Sequence, residues 1–172
     1  MIPTRNFDLL ERFTTKFSGN NALSEKIEGN WKFYTSEKYS QLSHQFAFGL
    51  IELGFKKGDK IMTVTNNRPQ WNFVDMGMSM LGVVHVPVYT SMNAKEYNYI
   101  MQHSDAKMVL VSDQKLYEMI EPEVKKNKAV EHFYTFDTIE GAKHWSEVLK
   151  KGKSASSETR EKLEAIKNAI LP

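Results

Sequence analysis

Two short stretches constrain this chain more than any other feature: Val83-Val84-His85-Val86-Pro87-Val88 and Met108-Val109-Leu110-Val111. Both are β-branched or apolar almost throughout. A strand with one wet face alternates apolar and polar residues, whereas a strand covered on both faces does not. Runs of this kind belong in parallel sheets flanked by helices. Their neighbours agree with that reading. Ile61–Thr65 and His132–Phe136 read as two further strands. Pro69–Leu81, Ala94–His103 and a short Asp113–Ile120 read as the helices between them. Strand and helix in alternation imply right-handed crossovers. The expected class is therefore α/β, an open, mostly parallel, flavodoxin-like sheet with flanking helices.

The N-terminal region adds a smaller element. Phe7–Phe17 reads as an amphipathic helix with Leu10, Phe13 and Phe17 on one face. Ala22–Ile27 and Trp31–Tyr34 read as a hairpin across Glu28-Gly29-Asn30, where Gly29 and Asn30 tolerate positive φ. Ser36–Leu53 repeats apolar residues at Tyr39, Leu42, Phe46, Leu50 and Leu53, a helix that Gly54 stops. The polar stretch Lys150–Ser157 reads as a loop. Glu158–Ile170 reads as a last helix with Leu163, Ile166 and Ile170 on one face, supported by a Glu158–Lys162 pair. The expected organisation is one truncated N-terminal subdomain over residues 1–172. It divides into helix and hairpin (1–35), α/β core (36–138) and helical tail (139–172).

Composition removes several functions. Hydrophobic residues make up 41% and charged residues 26% of the 172, an ordinary globular balance. The net charge of +2 is spread along the chain, so no basic arm points to nucleic acid. The absence of cysteine removes disulfides, thiolate zinc sites and thiol nucleophiles, and is compatible with the cytoplasm. Five histidines never fall at metal-ligand spacing. Nine scattered glycines form no phosphate-cradling loop, and no Gly-x-Ser-x-Gly elbow occurs. No catalytic, cofactor or metal residue is expected.

Two places remain where side chains could face a crevice, since ligands gather at the carboxyl ends of parallel strands. One is Asn67-Arg68-Pro69-Gln70-Trp71, where Asn67, Arg68 and Trp71 follow a strand and open a helix. Arg68 there could meet an anion or carboxylate. Pro69 at the first helical position also explains the pattern by itself, with Trp71 filling the core. The other place is Tyr89-Thr90-Ser91. Tyr89 and Thr90 are crevice candidates, while turn formation and capping by Thr90, Ser91 or Asn93 is the competing duty. The helix between them carries two apolar stripes, Trp71, Val74, Met78 and Leu81, then Phe73, Met76 and Met80. Those side chains suit a lipid tunnel wall or a helix buried on most sides.

Several segments in order resemble the adenylate-forming (AMP-binding) ligases, and in particular the long-chain fatty acyl-CoA synthetases. Tyr34-Thr35-Ser36-Glu37-Lys38-Tyr39 is similar to the first block of the family. Phe48-Gly49-Leu50-Ile51-Glu52-Leu53-Gly54 and Lys57-Gly58-Asp59-Lys60-Ile61 continue it. Asn67-Arg68-Pro69-Gln70-Trp71 resembles the Asn-Arg-Pro-Glu-Trp of the long-chain branch. Leu81-Gly82 through Val88-Tyr89 resembles the second block. The match is close from about Asn21 to Ser112 and fades after Ile120.

The resemblance implies a parent enzyme that joins a fatty acid to CoA through an acyl-adenylate, using ATP, Mg and CoA. The family's Thr-Ser-Gly-Thr-Thr-Gly-x-Pro-Lys-Gly phosphate loop, its later nucleotide blocks and its catalytic lysine have no counterpart here. No family catalytic residue therefore transfers to a position of this chain, and no cofactor is expected on the fragment itself. The implied partners are the remainder of the polypeptide and a fatty acid. The implied location is the cytoplasm, free or peripheral at a membrane. A second function class fits the same fold, a stand-alone flavodoxin-like binding or protein-interaction module. The apolar helix Pro69–Leu81 further implies an exposed patch around Trp71, Met76, Met78 or Met80 with the last helix, and a homodimer through it.

Overall fold

The computed structural model describes residues 3–171. Thirteen elements follow in order: α1 (Asp8–Lys16), β1 (Asn21–Ile27), β2 (Asn30–Thr35), α2 (Ser36–Glu52), β3 (Lys60–Val64), α3 (Pro69–Leu81) and β4 (Val84–Val88). They continue as α4 (Ala94–Ser104), β5 (Ala106–Val111), α5 (Gln114–Lys126), β6 (His132–Thr135), α6 (Ser146–Lys153) and α7 (Ser157–Ala169). Two compact units share the chain. One holds residues 1–56, 68–82 and 148–172, the other 57–67 and 83–147.

The second unit carries a four-stranded sheet in the order β4-β3-β5-β6. Every pairing in it is parallel, with Ile61 opposite His85 and Met108, and Leu110 opposite Tyr134. The expected α/β class holds. One face of the sheet is sealed by Met62, Val64, Val109 and Val111 against Tyr97 and Met101 of α4 and Leu116 and Ile120 of α5. Asn93 caps α4 through a full capping box with Glu96. β4 is an edge strand, and Pro87 within it lacks a donor, which suits an edge position. α5 runs past the expected Ile120 to Lys126 and takes Pro122 into its interior. Leu116, Ile120 and Val124 recur every four residues against one cluster, and that packing outweighs the proline.

The first unit is built around α2. Thr35 accepts the Lys38 N–H at its start. At its end Gly54 takes φ +84°, the Gly54 N–H bonds Ile51, and the Phe55 N–H bonds Leu50, both to carbonyls. That is a Schellman closure, and only glycine adopts it without cost. Tyr34 and Tyr39 meet Phe73 of α3 with ring centroids 5.1 and 5.6 Å apart. β1 and β2 form the expected antiparallel hairpin. Its positive-φ residues are Glu28 and Gly29 rather than Gly29 and Asn30. The two-residue loop starts one position earlier, so the strand claims Asn30.

One expectation fails in this unit. Lys150–Ser157 is not all loop, because α6 covers Ser146–Lys153. Its signal is hidden from a polar sequence because the contact is made by a glycine. A Cβ on Gly152 would stand 1.8 Å from the Gln45 carbonyl of α2, and one on Gly49 would stand 2.2 Å from the Val148 carbonyl of α6. The residues of the expected apolar patch divide. Met78 and Met80 are fully buried and Trp71 and Met76 half-buried, so α3 completes a core within its own unit. In α1, Leu10 is buried and Phe13 half-buried, but Phe17 lies beyond the helix and is exposed.

The ends of the first unit are tied by one cation. The Arg5 guanidinium donates to both oxygens of Asp8 at 2.8–3.2 Å, and also to the Lys167 and Ile170 carbonyls at the end of α7. A cation there neutralises the negative end of the helix and satisfies carbonyls with no partner inside it.

Two predictions follow from this packing. Gly152→Ala should destabilise the chain by about 2–4 kcal/mol, since overpacking against backbone has no relaxed solution. Urea unfolding measures it. Arg5, whose guanidinium bonds the carboxylate, is the main reason the Asp8 carboxyl is held at about 2, below its ordinary 3.8. A depressed pKa contributes stability above the unfolded-state value and loses it as the pH falls toward the folded-state value. Asp8→Asn should therefore cost about 1–2 kcal/mol at neutral pH, with the gap to wild type closing between about pH 4 and pH 2.

Candidate functional site

The carboxyl ends of the parallel strands lie in the second unit and gather the sequence candidates Asn67, Tyr89 and Thr90. β3 ends at Val64 beside Val88 of β4. Asn67 and Tyr89 are exposed, Tyr89 by 80%, and Thr90 is half-buried. The Tyr89 carbonyl accepts the Tyr97 hydroxyl at 3.0 Å, which fixes the turn while leaving the Tyr89 ring in solvent. The competing duty of Asn93 is realised, since it caps α4.

A polar network that the sequence did not single out lies at the same end. The Ser112 N–H donates to the Val64 carbonyl, and the Asp137 N–H to the Ser112 carbonyl, each at 3.0 Å. The Ser112 hydroxyl donates to Asp113 at 2.7 Å, and the Asn66 amide reaches the same carboxylate oxygen at 3.4 Å. The other Asp113 oxygen caps α5 through the Leu116 N–H. Ser-Asp directly after an apolar strand was the available signal, and it reads equally as an N-cap. Asp113 is thus committed to ordering the loops. Among the described residues no group of three His, Asp or Glu side chains could hold a metal ion.

Arg68 and Trp71 belong to the first unit, at the start of α3. Arg68 is the N-cap residue but makes no side-chain cap, and Pro69 occupies the first turn. The Arg68 Nε donates to Gln70 at 3.1 Å, and the Gln70 amide donates to both oxygens of Glu25 at 3.2 and 3.3 Å. Glu25 also accepts the Tyr34 hydroxyl, and Lys32 stands 3.7 Å away. Burial, reinforced by Glu25, raises the Tyr34 pKa. The carboxylate beside the α3 N-terminus is thus supplied by the hairpin of the same chain. No local pattern announces Glu25, because it meets Gln70 across 45 residues of sequence.

Chemically, these strand ends can order loops and offer hydroxyl and amide groups. They do not fit an ATP–Mg complex by themselves. The turns after β3 and β4 contain no glycine and no lysine, so they lack clustered backbone donors for phosphates, and the cation among them, Arg68, donates to Gln70. Among the described residues no helix is long and apolar enough to cross a membrane.

Comparison with known proteins accounts for such a scaffold. The family model "AMP-binding enzyme" matches residues 10–169. A long-chain-fatty-acid–CoA ligase, FadD15, of Mycobacterium bovis is 30% identical over 80 residues, covering 46% of this chain and 13% of its own. Long chain acyl-CoA synthetase 1 of Arabidopsis thaliana is 26% identical over 143 residues, covering 79% of this chain and 21% of its own. The crystal structure of a long-chain-fatty-acid-CoA ligase, FadD1, from Archaeoglobus fulgidus superposes with a TM-score of 0.75 at 19% identity, covering 87% of this chain and 30% of that one. The chain therefore spans about one fifth or less of these two curated relatives. With the family matched over nearly its whole length and the fold shared, this chain belongs to the AMP-binding enzymes, the adenylate-forming ligases.

Proposed function

We propose that this chain is the N-terminal part of an acyl-CoA ligase acting on long-chain fatty acids. In that reaction the carboxylate attacks the α-phosphate of ATP, forming acyl-AMP and releasing pyrophosphate. The CoA thiol then attacks the acyl carbon and AMP leaves. The observation that carries the reading is the family match over residues 10–169, in a chain whose strand ends carry no phosphate-binding loop. The long-chain branch is supported by Asn67-Arg68-Pro69-Gln70-Trp71, by Tyr89 after Val86-Pro87-Val88, and by the names of the two curated relatives. ATP, Mg and CoA are then handled by segments outside these 172 residues.

One observation favours a second reading, a self-sufficient binding or interaction module. α3 buries Phe73, Val74, Met78, Met80 and Leu81, with Met78 and Met80 fully covered. That burial speaks to independent folding and leaves the ligase reading as the better account of the ordered family blocks.

The 172-residue chain is predicted to release no pyrophosphate when given ATP, Mg and a long-chain fatty acid, because it presents no positioned donors to phosphates. Fatty-acid-dependent release by the pure chain would defeat the reading. The reading frame beyond Pro172 should encode the phosphate loop, and the protein it specifies should form acyl-CoA from oleate faster than from a short acid. In that protein, Arg68→Ala is expected to lower stability by about 1 kcal/mol, the scale of a lost helix-terminus hydrogen bond, with turnover largely kept. An unchanged melting temperature with most turnover lost would instead place Arg68 in the site.

A further inference from the structure

The end of α7 is held by more than a helix cap needs. The helix stops at Ala169, and Ile170 leaves it in an extended conformation with φ −84° and ψ 117°. The Arg5 guanidinium grips both sides of that break. Its Nη1 donates to the Lys167 carbonyl, in the last turn, and at 3.4 Å to the Ile170 carbonyl, the first beyond the helix. A cation that only offset the helix dipole would need neither the second contact nor a fixed plane.

The plane is fixed. The other edge of the same guanidinium lies on Asp8, with Nε 3.1 and 3.2 Å from its two oxygens and Nη2 2.8 Å from Oδ1. The guanidinium carbon stands over the buried Phe7 ring, 4.6 Å from its centroid. Asp8 is held in turn by the Thr4 and Arg5 N–H groups at 3.1 and 3.0 Å and by the Thr4 hydroxyl at 3.3 Å. A planar fork seated on a fixed carboxylate has one orientation. Its free edge therefore presents Nη1 to α7 in a set direction.

We infer that Arg5 is a positioning residue that sets the direction in which the chain leaves α7. One helical carbonyl and one extended carbonyl define a line, and a rigid donor that meets both fixes the turn between them. The Ile170 N–H, bonded to the Lys167 carbonyl at 3.3 Å, closes the same turn. This role rests on the ligase reading for its purpose. In that reading the residues after Ile170 lead to the phosphate loop, and such a loop works only when its donors stand at the phosphate oxygens. Arg5 acts through α7 and not on a reacting atom.

Two measurements test this role. In the longer protein, Arg5→Ala should raise KM for ATP about three- to tenfold, the scale of one lost hydrogen bond, with KM for oleate unchanged. Arg5→Lys keeps the charge at the helix end but not the fork. It should regain most of the melting temperature lost in Arg5→Ala and keep the raised KM for ATP. A wild-type KM for ATP in Arg5→Ala overturns the inference. So does recovery of both stability and KM for ATP in Arg5→Lys, which would leave Arg5 as a helix cap. In the 172-residue chain, Arg5→Ala should speed amide exchange at Ile170 about tenfold or more, while Phe46 and Leu50 of α2 exchange as in wild type. Equal exchange at Ile170 with and without Arg5 overturns the inference as well. A wild-type longer protein that forms no acyl-CoA defeats the ligase reading, and the exchange measurement then decides alone whether Arg5 holds the exit.

Discussion

The first unit depends on how closely other backbones approach α2. Gly152 of α6 faces the Gln45 carbonyl, Gly49 of α2 faces the Val148 carbonyl, and a Cβ on Gly77 of α3 would stand 2.8 Å from the Ser43 carbonyl. At these points the helices meet backbone to backbone. Glycine costs up to about 1 kcal/mol of helix propensity in each place. The cost is offset because close approach lets Phe46, Leu50, Phe73 and Met78 all reach full burial around one axis. The Schellman closure at Gly54 then ends α2.

What was legible in the sequence follows from range. Strands covered on both faces announce themselves residue by residue, and Val84–Val88 and Ala106–Val111 lie within two residues of the runs that marked them. Pro69 and Gly54 are local signals and both work as read. Apart from the hairpin turn, where the positive-φ residues lie one position earlier than read, what was missed are contacts whose partner is distant. α6 is polar, and it is held by Val148 and Gly152 against a helix about a hundred residues earlier. The Arg5 bridge spans more than 160 residues. α5 outlasts its expected end because a shared cluster, not propensity, sets its length.

The candidate site divides along the same line. Asn67, Tyr89 and Thr90 follow the carboxyl ends of β3 and β4, a position that parallel topology alone dictates. Topology could not say that Arg68 and Trp71 would belong to another compact unit. Nor could it show that the acid at the head of α3 would come from β1, through Gln70. A helix N-terminus favours a carboxylate, and in this chain Glu25 meets that preference internally. An arginine next to a helix start is thus weak evidence for a ligand until the chain's own acids have been placed.

The distribution of exposed apolar surface carries the argument one step further. Met78 and Met80 of α3, the bulkiest apolar helix, are fully buried, whereas Trp31 and Phe33 project from a two-stranded hairpin, the thinnest element of the fold. A hairpin gains little stability from aromatic residues held in water, and two strands alone are marginal. Its inner face is already anchored through Tyr34 and Glu25, so the outer rings are not needed to hold it in place. Large apolar side chains retained where they do not stabilise the fold are better explained by what they touch outside it.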